Sequence, residues 1–300
     1  MGRSLGSMGK FRFGVSLWSI GGRAQWMGKC RRAEELGYDV ITVPDHLGKP
    51  SPFPALSVAA AVTERPRVGT MVINVPFYNP TLLARDIAAT VQLSGDRLHL
   101  GLGAGHMKSE FDDAGLPWHR AAERIDFLGR TLGELRRHLD DEGVEQPPLL
   151  IAGNSDGVLD LAAEHADIVG FAGLRQKAGE PPGTFQLDSA EAMDDRVSHV
   201  LTKASTGKAV APAADIEFNM LVQSVSITDD RRVEAEAWHT RSPNLSVDEV
   251  MEAPQLLFGS VTEMIEQLQA RRERYGFSYV TVFEAELEKF APIISELSGQ

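Results

Sequence analysis

Ionisable residues follow one of the short apolar runs of this chain, at a position where a catalytic site could form. Asp45 and His46 follow Pro44, directly after the run that ends at Val43. A carboxylate beside an imidazole can move a proton near neutral pH, because an unperturbed imidazole titrates there. In a random context an Asp-His pair is more often a helix cap or a turn. Its position at the end of an apolar run instead favours a site.

A glycine-rich tract follows another apolar run. The tract GLGAG, which contains Gly103 and Gly105, precedes His106 and Glu110. A dinucleotide-binding turn would need its third glycine to open a helix. The segment His106–Pro117 shows no clean helical stripe, so we interpret these glycines as positions where the backbone approaches a flat ring.

A third polar segment, Gly153-Asn154-Ser155, could bind an anion. It precedes an amphipathic pattern that begins at Gly157. The first turn of a helix presents unpaired N–H groups, which attract phosphates and carboxylates. Ordinary N-capping by Asn154 or Ser155 explains the same residues equally well.

The residue types argue against two other kinds of site. The chain has a single cysteine, Cys30, and its eight histidines form no closely spaced pair, so a metal-ligand set is not expected. The sequence also lacks the motifs HExxH, GxSxG and GxxxxGKS/T. We therefore expect neither a metal-dependent enzyme nor a catalytic-triad enzyme.

An alternation of short apolar runs and amphipathic stretches must position these residues. Eight such units are typical of parallel strands covered by helices, and they predict an α/β fold, a single-domain (β/α)8 TIM barrel. The predicted strands are Phe11–Leu17, Tyr38–Val43, Val68–Asn74, Arg97–Leu102, Pro148–Ala152, Ile168–Phe171, Glu217–Gln223 and Ser278–Phe283. The predicted helices are Gly22–Leu36, Ala55–Thr63, Thr81–Ser94, His119–Leu139, Gly157–His165, Ser189–Ala204, Thr228–His239 and Val261–Tyr275. The carboxyl ends of barrel strands form one mouth, where the three polar segments are expected to meet.

Two long connections are expected to lie over that mouth as insertions. Ala172–Asp188 is rich in Gly, Pro and charge, and Thr240–Phe258 separates the seventh helix from the eighth. Loops of this length usually cover a ligand, so we predict that both segments form a substrate lid. We expect Phe185 and Leu256–Phe258 to close apolar surface over the pocket. Trp18 and Phe283 are further candidates for its wall, although core positions suit both side chains better.

Charge and composition exclude several classes of function. The chain has 30 basic and 42 acidic residues and a net charge of −12, which argues against a surface for nucleic-acid phosphates. Its hydrophobic content of 43% is ordinary for a soluble protein, so no membrane span is expected. The start MGRSLGSMGK has no apolar stretch typical of a secretory signal, and one cysteine suits a reducing compartment. These features predict a cytoplasmic protein that acts on a small molecule.

The chain resembles the luciferase-like monooxygenase family, and within it the oxidoreductases that depend on the deazaflavin coenzyme F420. The resemblance covers nearly the whole chain. It implies a TIM barrel with an insertion near the mouth, usually homodimeric, which binds F420 or FMN at the carboxyl ends of the strands. The segments that carry it are Phe13-Gly14-Val15, RRAEELGYDVITVPDH (Arg31–His46), NPTLLARDIAATVQLSGDRLHLGLGAG (Asn79–Gly105), Glu110-Phe111, PPLLIAGNS (Pro147–Ser155) and Ala163–Asp167.

The resemblance also implies roles for single residues. Asp45 and His46 match a pair beside the deazaflavin ring, and Glu110 matches an acidic residue that donates a proton in some F420 members. The stretch from Met71 to Asn74 matches a strained bulge that supports the face of the ring. Gly153, Asn154 and Ser155 match the phosphate loop.

These residues predict an F420-dependent oxidoreductase that transfers a hydride between the deazaflavin and a small organic substrate. His46 would act as acid, base or electrostatic partner, and Glu110 as proton donor. Two alternatives stay open: an FMN-dependent monooxygenase, and a flavin- or deazaflavin-binding protein without turnover. The tract Asp140–Pro148 is shorter than its counterpart in the family, so the resemblance identifies no substrate.

Overall fold

Parallel strands form a closed barrel. The structure, a computed structural model, describes residues 9–206 and 212–300. The strands of these residues are β1 (Arg12–Ser16), β2 (Val40–Val43), β3 (Arg67–Thr70), β4 (Ile73–Asn74), β5 (Leu98–Gly103), β6 (Leu149–Ala152), β7 (Ile168–Phe171), β8 (Leu174–Gln176), β9 (Phe185–Leu187), β10 (Glu217–Leu221), β11 (Ser224–Ile227), β12 (Leu256–Gly259) and β13 (Phe277–Phe283). Around the barrel the order is β3, β2, β1, β13, β10, β7, β6 and β5, and β3 pairs with β5 to close it. The predicted TIM barrel is confirmed. Residues 1–8, which include most of the start MGRSLGSMGK, lie outside the described residues.

The third barrel strand is interrupted. The sequence predicts one strand over Val68–Asn74, but β3 ends at Thr70 and β4 begins at Ile73. The hydroxyl of Thr70 donates to the carbonyl oxygen of Gly101 at 2.7 Å and accepts from its N–H at 2.8 Å. This side chain therefore takes the place of a ladder hydrogen bond to β5. Met71 and Val72, which a cis peptide bond joins, lie in the gap.

Helices separate most of the barrel strands. They are α1 (Arg23–Glu35), α2 (Pro52–Val62), α3 (Pro80–Ser94), α4 (Lys108–Ala114), α5 (Ala121–Asp141), α6 (Asp156–His165), α7 (Ala190–Ala204), α8 (Arg231–Arg241), α9 (Val247–Glu252), α10 (Val261–Tyr275) and α11 (Ala291–Leu297). Among the described residues, none of these helices is both long and apolar enough to cross a membrane.

Helix α4 lies in the segment that the sequence suggests is not helical. Its buried residues, Glu110 and Phe111, are neighbours in sequence rather than three or four positions apart, so it shows no apolar stripe. Gly115 ends the helix in the left-handed conformation, with φ +67°. The helix is only seven residues long, and it carries Glu110 in its first turn.

Local capping fixes where the mouth loops end. The side chain of Asn79 accepts hydrogen bonds from the N–H groups of Thr81 and Leu82 at the start of α3, and Pro80 occupies the first helical position. Helix α10 begins with a capping box between Ser260 and Glu263. These caps fix the residues at which α3 and α10 begin.

The two long connections have different structures. Strands β8 and β9 form an antiparallel hairpin within Ala172–Asp188. The second connection contains α9 and β12, and β12 pairs in parallel with β11. Leu256, Leu257 and Phe258 are at most 2% exposed in this pair and line no part of the cavity described below. The expectation that they close over the pocket is therefore wrong, because strand pairing buries them elsewhere.

Candidate active site

One cavity of about 730 Å³ opens at the carboxyl ends of the barrel strands. Pockets at this face of a TIM barrel hold the substrates and cofactors of most enzymes with the fold. The cavity brings together residues from the ends of β2, β4, β5 and β6. It is lined by every residue that the sequence suggests for the site: Asp45, His46, Met71, Asn74, Gly103, Gly105, Glu110, Gly153, Asn154 and Ser155.

His46 and Glu110 form a hydrogen-bonded pair in this cavity. The Nδ1 atom of His46 lies 2.8 Å from Oε1 of Glu110, and the two side chains are 29% and 11% exposed. An ionised carboxylate accepts from Nδ1–H, which leaves Nε2 as the ring nitrogen that can accept a proton. His46 and Glu110 are 64 positions apart in the sequence. They come together because the end of β2 and the start of α4 both lie at the mouth. The pair can therefore hold and move a proton inside the cavity.

Asp45 has a different environment from its neighbour. Its Oδ2 accepts a hydrogen bond from the backbone N–H of Asn74 at 2.9 Å, and the hydroxyl of Tyr78 also bonds to it. Burial raises the pKa of Asp45, and these hydrogen bonds partly oppose that rise. The carboxyl group thus joins the end of β2 to the interrupted third strand.

The interrupted strand forms one wall of the cavity. Met71, Val72 and Ile73 all line it, as does Asn74, whose backbone is held by Asp45. The carboxamide oxygen of Asn74 is buried and has no hydrogen-bond partner among the described residues. Most buried polar atoms in proteins are satisfied, so this oxygen is a candidate acceptor for a bound group.

The glycines of the GLGAG tract serve protein packing first. A Cβ atom on Gly103 would lie 2.7 Å from Cγ2 of Val72, and one on Gly105 would clash with Oδ1 of Asn74. Gly105 also has φ +73°, a conformation that disfavours other residues. Both glycines line the cavity, but what requires their small size is the neighbouring third strand. Since both glycines line the cavity, the interpretation that their backbone approaches a flat ring stays a prediction.

The polar segment Gly153-Asn154-Ser155 precedes α6 at another part of the rim. Ser155 is the N-cap residue of α6, yet its side chain makes no capping hydrogen bond. A Cβ atom on Gly153 would lie 2.5 Å from Cγ1 of Val158, so packing against α6 requires a glycine there. The uncapped helix start favours the anion-site interpretation over ordinary capping by Ser155.

Arg196 completes this side of the cavity, although no sequence pattern marks it as a site residue. Its Nη1 lies 3.5 Å from Oδ1 of Asn154, and its Nη2 forms an ion pair with Asp188, whose side chain is 2% exposed. Arg175 also approaches Asp188, at 3.5 Å. Arg196 lies on α7, far along the chain from the other site residues. In an amphipathic helix pattern, an arginine predicts a side chain that faces solvent.

Aromatic side chains form the rest of the rim. The rings of Trp18 and Phe283 stack with centroids 5.2 Å apart and an interplanar angle of 23°. His106 makes edge contacts with His46 and Phe185, at centroid distances of 5.5 and 5.2 Å. Desolvation by the surrounding side chains, together with the charges of His46 and Arg124, lowers the pKa of His106 to about 4, although part of its side chain is exposed to solvent. The neutral imidazole is therefore the favoured form near neutral pH.

A family model described as luciferase-like monooxygenase matches residues 24–181, which is more than half of the chain. The chain belongs to the luciferase-like monooxygenase family. The matched range contains the His46–Glu110 pair, the interrupted third strand and the segment before α6. The resemblance seen in the sequence is confirmed.

Two relatives show how far sequence similarity extends. An F420-dependent glucose-6-phosphate dehydrogenase of Kribbella flavida is 29% identical over 223 residues, which cover 70% of this chain and 66% of that protein. A 4-hydroxyprotoasukamycin monooxygenase of Streptomyces nodosus subsp. asukaensis is 30% identical over 40% of this chain and 33% of that protein. The chain thus matches less than two thirds of the length of either relative.

One solved structure matches this chain over a longer range. It is described as an F420-dependent secondary alcohol dehydrogenase in complex with an F420-acetone adduct. The TM-score is 0.72 with 16% identity, and the match covers 96% of this chain and 98% of that one. This likeness shows that the two proteins share the barrel fold.

Proposed function

We propose that this chain is an F420-dependent oxidoreductase that transfers a hydride between the deazaflavin and a small organic substrate. The observation that carries the proposal is the His46–Glu110 hydrogen bond of 2.8 Å inside the mouth cavity. The F420-dependent names of the Kribbella relative and of the alcohol dehydrogenase structure support the choice of cofactor. A proton-handling pair is what such chemistry needs from the protein, because hydride transfer moves no proton to the substrate oxygen.

The described residues fit the parts of the deazaflavin cofactor. A cavity of about 730 Å³ is within the usual range for a cofactor site, roughly 300 to 1,000 Å³. The wall of Met71, Val72 and Ile73 offers apolar surface for a flat ring. The unpaired carboxamide oxygen of Asn74 can accept from a ring N–H. The start of α6, with Arg196 beside it, suits the phosphate group.

The mechanism assigns proton transfer to residues of this chain. When bound, the deazaflavin supplies or accepts the hydride. His46 takes the hydroxyl proton of an alcohol at Nε2, or returns it to a carbonyl oxygen in the reverse direction. Glu110 holds the ring through Nδ1 and stabilises its protonated form. Asp45 acts through Asn74, since it fixes the backbone of the interrupted strand.

Cofactor binding tests the proposal directly. Trp18 and Trp118 both line the cavity, so tryptophan fluorescence should report ligand binding there. We expect F420 to bind at micromolar concentration and FMN at least tenfold more weakly. Tight FMN binding without a response to F420 would favour the FMN-dependent monooxygenase, which the name of the Streptomyces relative supports. Tight F420 binding without F420 reduction or F420H2 oxidation across alcohols and carbonyl compounds would favour the binding protein without turnover.

We predict that His106 contributes no ionisation to the reaction between about pH 5 and 9. Its lowered pKa of about 4 means that the protonated ring accumulates only below that pH. The inflections in a plot of kcat/KM against pH should therefore be the same in the wild type and in His106→Gln. Loss of an inflection within this range in the variant would show that His106 titrates during catalysis.

We also propose that the chain forms a homodimer through α2 and α3. Helix α2 carries no charged residue, and a helix that is apolar all round is normally buried. Val58 on α2 is 39% exposed, and Leu82 on α3 is 52% exposed. Light scattering should give twice the mass of one chain. The double variant Val58→Glu, Leu82→Glu should be monomeric, whereas Val233→Glu, on the exposed face of α8, should remain dimeric. A wild-type monomer would overturn this assignment.

The remaining expectations about partners and location are part of the same proposal. The net charge of −12 supports action on a small molecule rather than on nucleic acid. Cys30, the single cysteine, is buried and unpaired, which suits a reducing compartment such as the cytoplasm. The hairpin within Ala172–Asp188 contributes Phe185 to the cavity, which supports its proposed role as a lid.

A further inference from the structure

We infer that the substrate is an uncharged alcohol or ketone with an apolar body, rather than a phosphorylated or carboxylated compound. This inference rests on the proposed function, because it concerns the part of the cavity that the cofactor would leave open. The inference is based on the distribution of charged side chains around the mouth. One sector of the mouth is aromatic and lacks lysine and arginine, and the basic side chains belong to other sectors.

The aromatic sector is formed by neighbouring strands. Strands β10, β13, β1 and β2 are adjacent in the barrel; Trp18 follows β1, and Phe283 is the last residue of β13. Glu284 accepts hydrogen bonds from the backbone N–H groups of Trp18 and Ser19, at 2.9 and 3.0 Å, and forms an ion pair with Lys29. The Trp18–Phe283 stack is therefore anchored. The other polar side chains that line this sector beside the Asp45-His46 pair are uncharged: Ser16, Asn219 and Gln223.

The arginines of the cavity lie in other sectors, where Arg196 is beside the proposed phosphate site. Arg196 and Arg175 both pair with Asp188, on the side of β6 and β7. Arg124 stacks on the ring of Trp118 at 3.7 Å and donates to the carbonyl oxygen of Ala104 at 3.1 Å. Arg120, which is 85% exposed, pairs with Glu123. Of the described arginines and lysines, none lines the cavity between β10 and β2.

An anionic substrate would also meet negative charge at the reacting pair. Asp45 and Glu110 both line the cavity next to His46. A phosphate or carboxylate placed there would be partly desolvated without a cation to compensate it, which disfavours binding. An uncharged hydroxyl or carbonyl group has no such cost and can hydrogen-bond to His46.

The opposite wall provides a second uncharged contact. His106 lies between His46 and Phe185, and its neutral imidazole can donate or accept a hydrogen bond without adding charge. Lys49 is the cation that contacts the aromatic pair, with Nζ 4.8 Å from the ring centroid of Trp18. It is exposed and does not line the cavity. The alternative that an experiment must distinguish is therefore an anionic substrate bound by Lys49.

The reaction balances for such a substrate. In oxidation, the carbinol C–H bond breaks and its hydride goes to the cofactor, which is reduced. The O–H bond also breaks and its proton goes to Nε2 of His46, which leaves a ketone. In the reverse direction reduced F420 is the reductant, and His46 returns the proton to the oxygen.

The test uses cyclohexanol and glucose 6-phosphate as neutral and anionic probes. Saturation-transfer NMR on the cofactor-free protein measures binding independently of turnover. We expect signal transfer to cyclohexanol and none to glucose 6-phosphate at equal concentration. With F420 bound, kcat/KM for cyclohexanol should be at least tenfold higher than for glucose 6-phosphate. Trp18→Ala should raise the KM for cyclohexanol at least tenfold. Trp18→Phe should bring the KM back close to the wild-type value. Trp238→Ala, on α8 outside the cavity, is the matched control.

The outcomes separate this inference from the proposed function. Preference for glucose 6-phosphate, lost in Lys49→Met, would overturn the inference and assign the anion to Lys49. NMR contact with neither probe would also overturn it. If F420 does not bind while cyclohexanol contacts the cavity in a Trp18-dependent way, the cofactor assignment fails and the preference for neutral ligands stands.

Discussion

Replacing His46 with alanine is expected to lower kcat by about 10²- to 10⁴-fold, the range typical of a lost acid-base group. The variant loses the only imidazole that is hydrogen-bonded to Glu110 among the described residues. F420 affinity and the melting temperature should change little, since His46 lies at the cavity surface. Glu110→Gln keeps the shape of its partner and should lower kcat with little change in KM.

The control for this experiment is His138→Ala. His138 lies on α5, where its Nε2 is 3.3 Å from the hydroxyl of Thr81, and it does not line the cavity. Its turnover should match that of the wild type. Unchanged turnover in His46→Ala with normal melting would remove His46 from the active site. A large drop in melting temperature with nearly normal activity would make its role structural.

Arg196→Met is expected to weaken F420 binding by about 10- to 100-fold. A hydrogen bond from a charged group contributes about 1.5 to 3 kcal/mol, and each 1.4 kcal/mol is about tenfold in affinity. The same variant should lower the free energy of unfolding by about 3 to 5 kcal/mol, because Asp188 stays buried and, among the described residues, keeps only the ion pair with Arg175 at 3.5 Å. Fluorescence titration and chemical unfolding measure the two effects separately.

A double variant separates binding from stability. Adding Asp188→Asn to Arg196→Met removes the unpaired charge, so most of the lost stability should return while F420 binding stays weak. Arg232→Met, which removes a surface pair with Asp248, is the control and should change neither quantity. If the double variant binds F420 as the wild type does, Arg196 holds Asp188 in place and does not contact the cofactor.

The barrel could be predicted because its strands are buried on both faces. In β5 all six residues, LHLGLG, are buried, and such runs stand out against amphipathic helices. The interruption of the third strand could not be predicted from the residues alone, because it depends on how the Thr70 side chain meets Gly101 in a strand 31 positions away. The β11–β12 pair was missed for a similar reason. Its strands are short and separated by two helices.

Most of the predicted site residues lie at the end of a strand or just after it, and Glu110 lies in the first turn of a helix. That position is visible in the sequence, and the barrel rule then brings Asp45, His46 and Glu110 together. Arg196 has no such signal, since it lies in the middle of α7 and reaches the cavity only through the packing of α7 beside α6. Trp118 and Arg124 were missed because their contact joins a side chain of an irregular loop to a side chain of a helix.

Gly103 and Gly105 also bear on how this protein could be re-engineered. Their side-chain positions are already filled by Val72 and Asn74, so a saturation library at these two glycines should yield mostly inactive, poorly folded clones. Leu221 and Phe283 lie on the opposite side of the cavity, away from the third strand. Random substitution there should give many folded variants with altered selectivity. The barrel mouth thus has a half that tolerates change and a half that does not, and directed evolution should start from the first.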